Sequence, residues 1–177
     1  MKTWNEAARF AVQKIYWRAA EVSENAKLYD VRECLDRFIE LIMQPQGPAA
    51  MSKESRENCW IELGALGMHA GHTQSVGVGL GFMDYLHKDD LLLKTLVRKQ
   101  ADYGPENIAR FGTTGLVVRM HDKIARLENL TSNLKNPWNE SMIDNFMDVI
   151  GYAAVGILWE TDTFLLPLED FESPAPA

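Results

Sequence analysis

The chain has 177 residues, 46% of them hydrophobic and 24% charged, with a formal net charge of −7. A chain of this size and composition forms one domain with a sizeable core, which excludes wholesale disorder. The acidic balance excludes a broad grip on a nucleic-acid polymer, which needs clustered Lys and Arg to displace phosphate counterions; a free nucleotide stays compatible with a few local cations.

The first element spans Trp4 to about Ala20, where Ala7, Phe10, Ala11, Ile15 and Ala19 recur at helical spacing. Its apolar run is interrupted by Asn5, Glu6, Arg9, Gln13 and Lys14, so it is neither a secretory segment nor a membrane span, and no later segment is expected to have the length of one. A second helical pattern near Val31 to Met43 completes an expected opening hairpin. The stretch QPQGPAAMS ends it, and Ser52 or Ser55 is placed to cap the helix that follows. Cys34 and Cys59 lack CxxC spacing, which fits a reduced, cytoplasmic setting rather than a zinc knuckle or a disulfide scaffold.

The glycine-dense stretch Gly64 to Gly81 reads as mixed helix and loop. Helical character is predicted again from Phe82 to about Lys99, then Tyr103-Gly104-Pro105 breaks it, with Pro105 suited to a first helical turn. After a further break at residues 111–115, an amphipathic helix is predicted over 115–130, with Leu116, Val117, Met120, Ile124 and Leu127 in one arc. A longer helix is predicted from about Trp138 to Glu160, and residues 171–177 read as a flexible tail after a single domain over 1–170. With no alternating β-branched runs and no solenoid repeat, the fold class is all-α, a helical bundle.

Two charge clusters stand out. Glu140, Asp144 and Asp148 are spaced four apart and line one side of the last helix, bordering its apolar stripe. Like charges in a row repel unless solvent or a cation relieves them, so the row is either a solvated edge or a site for a hard cation, Mg²⁺ or Mn²⁺. On the preceding helix, Arg119, Asp122 and Arg126 form either an exposed ion-pair ladder or a site in which Asp122 faces the metals while Arg119, Lys123 or Arg126 neutralises phosphate charge, with Lys123 about 100° round from Asp122. Lys99, Asp102, Tyr103 and Asn107 surround the Tyr-Gly-Pro break, where they satisfy a local turn or contact a base. His69 and His72 lack further metal ligands, and the Gly77 to Gly81 run has neither GxGxxG nor P-loop spacing. No GxSxG elbow occurs.

The run KQADYG…N…FG…G…VR…DK…RL…NL…E…D…D…GYA, from Lys99 to Ala153, resembles the nucleotide-modification-associated domains of phages and bacteria. More loosely, it is similar to the MazG-like all-α NTP pyrophosphohydrolases. That resemblance implies a bundle of their type with extra N-terminal helices, and Mg²⁺- or Mn²⁺-dependent hydrolysis of a nucleoside triphosphate to monophosphate and pyrophosphate. It implies Asp122, Glu140, Asp144 and Asp148 as metal ligands and catalytic carboxylates, where the wider superfamily has ExxE and ExxD motifs. Around Asp122 the sequence departs from the pattern, with Lys123 and Arg126 in place of glutamates. Lys99, Asp102, Tyr103, Asn107, Arg119, Lys123 and Arg126 would contact substrate, for which a purine deoxynucleotide such as dGTP is preferred. A homodimer or tetramer is the implied assembly, and five Trp residues leave room for an apolar interface. The competing readings are a protein that sequesters a nucleotide without turnover and a purely structural helical protein.

Overall fold

A computed structural model of the chain describes residues 1–76, 81–133 and 140–169, excepting the side chains of residues 140 and 141. Gly77, Gly79, most of the connection before Trp138 and the expected tail therefore lie outside the described residues. Among those described, every regular element is helical and no strand occurs.

Helix α1, Trp4–Ala19, starts where the Thr3 hydroxyl accepts a hydrogen bond from the Glu6 N–H, and it buries Ala7, Ala8, Ala11, Val12 and Ile15 along one stripe. Helix α2, Leu28–Ile42, buries Val31, Leu35, Phe38 and Ile42 at the same period. The two do not form the expected hairpin. Instead α1 packs on α3 and α8 while α2 packs on α3 and α7, because each has its own apolar stripe to cover. Ser52 caps α3, Lys53–Val76, by accepting from the Ser55 N–H at 3.0 Å.

The expected mixture of helix and loop after Gly64 is instead continuous helix to Val76. Close packing explains why glycine is used there. A Cβ added at Gly64 would lie 2.7 Å from Ile15 Cδ1, and one at Gly71 would lie 2.4 Å from Phe82 Cε1. Each glycine lowers helix propensity by about 1 kcal/mol, and the contacts it permits offset that loss.

The helix expected from Phe82 to Lys99 is bent. It divides into α4, Phe82–His87, a 3₁₀ turn over Lys88–Asp90, and α5, Leu91–Tyr103. Asp89 and Asp90 make the bend with φ of 53° and 55°, left-handed values that aspartate tolerates better than most residues. Gly104, at φ 65°, ends α5, and its N–H donates to the Gln100 carbonyl at 2.9 Å. A short α6, Glu106–Ala109, follows. Helix α7, Gly112–Asn133, then outruns its predicted bounds at both ends, and α8 covers Glu140–Glu160.

Helices α3 and α8 make the most extensive pairing and form the middle of one continuous core, with Trp60, Leu63 and Met68 buried from one and Val149, Ile150 and Ala153 from the other. A buried network locks their ends: Arg56 Nε donates to Glu160 Oε2 at 2.8 Å, and the Thr113 hydroxyl donates to Glu160 Oε1 at 2.6 Å. Arg56 Nη1 also donates to the Pro48 and Met51 carbonyls, so two backbone oxygens share this internal guanidinium with Glu160. Contrary to the sequence expectation, one segment does reach the length and mean hydropathy of a membrane span, Met142–Glu160, and 67% of it is buried inside the bundle. It is apolar on most sides because neighbouring helices surround it.

Candidate functional site

Helices α5, α6, α7 and α8 enclose a cleft of about 440 Å³, whose lining also includes Trp4 of α1 and Phe164. Each helix contributes one face. On α5 the positions Leu92, Leu96, Lys99 and Tyr103 are three or four apart, and on α8 Gly151, Tyr152 and Val155 lie three, four and seven residues after Asp148, on one face. Helix α7 contributes Arg119 and Lys123, again four apart, and α6 contributes Asn107.

Asp148 is the junction of the polar half. Its Oδ1 accepts from Lys99 Nζ of α5, and its Oδ2 lies 2.8 Å from Lys123 Nζ of α7. The carboxylate side chain is 16% exposed, whereas Lys99 is 42% exposed and can turn toward solvent or ligand. Arg119 is held over α6, donating from Nη2 to the Asn107 carbonyl at 3.3 Å. The cleft thus carries three cations, Lys99, Arg119 and Lys123, against one carboxylate, in a chain whose net charge is −7. Low-dielectric walls concentrate the field of such a set, so the cleft attracts anions.

Of the residues singled out in the sequence, Lys99, Tyr103, Asn107, Arg119, Lys123 and Asp148 come together here. Asp102 and Arg126 are exposed and do not line the cleft. Asp122 faces solvent with its side chain 74% exposed, 3.8 Å from His121 Nδ1. The 100° between consecutive helical positions explains this: with Lys123 turned to the cleft, Asp122 cannot be. Asp144 is also exposed, one turn before Asp148. Glu140 opens α8, its side chain outside the described residues.

The expected convergence of carboxylates on Mg²⁺ or Mn²⁺ is therefore not what the described side chains make. Among them no three His, Cys, Asp or Glu groups come together as a metal-binding set, and lysine ammoniums take both oxygens of Asp148. The donors described do not fit a divalent ion.

Sequence reasoning missed Tyr152, Trp4 and Phe164. Tyr152 was within reach, because it lies four residues after Asp148 on the same face. The other two come from opposite ends of the described chain and carry no local signal; the Trp4 N–H bond to the Pro167 carbonyl, 2.8 Å, brings them together. Comparison of the chain with protein-family models, curated proteins and solved structures finds no match.

Proposed function

We propose that this chain is a nucleotide-handling protein whose cleft takes a nucleoside triphosphate. One observation carries the reading: an acidic chain keeps a surplus of positive charge in a cleft that also has tyrosine and apolar walls. Phosphate oxygens would share Lys99 and Lys123 with Asp148, which holds the two ammoniums in place before the ligand arrives. Arg119 would add a planar, two-pronged contact, the geometry best matched to phosphate. Tyr103 and Tyr152 offer ring faces to the nucleoside.

The bundle, on this reading, is of the all-α NTP pyrophosphohydrolase type, working as a dimer or tetramer, and the reaction implied by the resemblance is cleavage between the α- and β-phosphates. Sequestration is the second reading, favoured by the described carboxylates, which do not form a divalent-metal set. Incubating the protein with each NTP and dNTP, with and without Mg²⁺ or Mn²⁺, and resolving the products separates them. Monophosphate plus pyrophosphate establishes hydrolysis. Calorimetric binding without products establishes sequestration, and neither binding nor products rules out a nucleotide role.

A further inference from the structure

The cations of the cleft stand at two levels, which the helix pairings put in order. Helices α5 and α8 run antiparallel: Lys99 meets Asp148, and a Cβ at Gly151 would stand 3.4 Å from Leu96 Cδ2. Helices α7 and α8 are antiparallel too, since Lys123 meets Asp148 and Thr113 meets Glu160. Four residues back along α7 is Arg119, and four forward along α8 is Tyr152, so these two share a level about 6 Å from the lysine pair by helical rise. Further in that direction α5 and α8 line the cleft with Leu92 and Val155. On the other side of the lysines α5 contributes Tyr103, which is 67% exposed.

The two levels differ in charge and in contact with water. Asp148 already offsets one of the two ammoniums, and Lys99 is 42% exposed, so the lysine level is partly solvated. Arg119 is paired with no carboxylate among the described residues, and its bond to the Asn107 carbonyl uses one of five guanidinium N–H groups. A polyphosphate keeps its outer, most charged groups near water, because a buried anion loses hydration. A nucleoside gains from apolar walls. Both preferences orient a nucleotide the same way along the cleft.

We infer that Arg119 holds the phosphate joined to the nucleoside, that Lys99 and Lys123 hold the phosphates beyond it, and that the nucleoside lies on Tyr152 toward Leu92 and Val155. This rests on the cleft being a nucleotide site. The ligand class is accordingly the nucleoside mono-, di- and triphosphates, ranked in affinity by phosphate number. The monophosphate is a competing ligand that uses Arg119 alone of the three cations.

The test is calorimetry of wild type, Arg119→Met and Lys123→Met, without divalent metal, against the mono-, di- and triphosphates of the common ribo- and deoxyribonucleosides. In the series that wild type binds most tightly, Arg119→Met should weaken all three ligands about tenfold, the loss of a hydrogen bond to a charged group. Lys123→Met should weaken the di- and triphosphate by a similar factor and leave the monophosphate unchanged. The converse pattern, losses that ignore phosphate number, or a wild type that binds all three equally overturns the inference while leaving the nucleotide site standing. A wild type that binds none of them overturns both. Spectra of the unmutated protein give a second readout that does not depend on a variant folding. Nuclear Overhauser contacts from the base protons should reach the Tyr152 ring and the Val155 methyls, and contacts to the Tyr103 ring in their place overturn the inference.

Discussion

Asp148 accepts lysines from two different helices, so a single carboxylate orders the cationic side of the cleft. Replacing it by Asn keeps the shape and removes the charge that competes with an incoming phosphate. Asp148→Asn should bind tripolyphosphate several-fold more tightly while losing any nucleotide turnover, with the helical circular-dichroism signal unchanged; calorimetry and product analysis read the two effects, and retained turnover would remove Asp148 from the chemistry. At this scale the sequence was half legible. The residue types around Tyr103-Gly104 and along α7 and α8 identified which segments meet, because helical spacing is local information. Whether Asp122 or Lys123 faces inward depends on how α7 is rotated against its neighbours, and its apolar arc constrains that rotation only to within about one residue step.

Helices come close in this bundle where side chains are absent. At Gly156 of α8 an added Cβ would stand 2.3 Å from the ring of Trp60, which is fully buried and has no room to retreat. Gly156→Ala should therefore destabilise the fold. Overpacking costs about 1–3 kcal/mol, more than the helix propensity of about 1 kcal/mol that alanine adds, and urea unfolding measures the difference. A stabilised variant would mean that Trp60 can move. The amphipathic helices α1, α2 and α7 were legible because each has an apolar stripe of helical period. The part of α3 after Gly64 was not, since its glycines mimic loop composition while serving interhelical contact. The bend at Asp89 and Asp90 was equally hidden, aspartate being ordinary in sequence and unusual only in its φ.

Across the whole molecule, ion pairs join helices that are far apart in the chain. Arg32 of α2 makes a two-pronged contact with Glu128 of α7, both bonds 2.8 Å, and that guanidinium holds the Glu128 carboxyl below its ordinary value of 4.5. A depressed folded pKa means that the unfolded state binds the proton more readily, so the pair stabilises the fold above pH 4.5 and loses its contribution as acid protonates the folded form. Glu128 is 41% exposed, and solvent screening limits the effect to about 1 kcal/mol or less. Chemical denaturation of Glu128→Gln should show that deficit at neutral pH and none in strong acid; a deficit independent of pH would assign the loss to packing. The all-α class was legible from composition and periodicity, but the pairing of α1 with α8 rather than α2 was not, because no local pattern records which stripes share a core.

The Thr3 hydroxyl donates to Glu169 Oε1 at 2.7 Å across 166 positions of sequence, and with the Trp4 bond to Pro167 it fastens the beginning of α1 beside the segment that follows α8. This arrangement sets an order in time. A ribosome releases Trp4 well before Phe164, which follows α8, so Trp4 waits for that part of the cleft lining while the helices between them are made. The nascent chain can bury α1 against α3 early, but the cleft lining is complete only when translation has delivered the segment that follows α8.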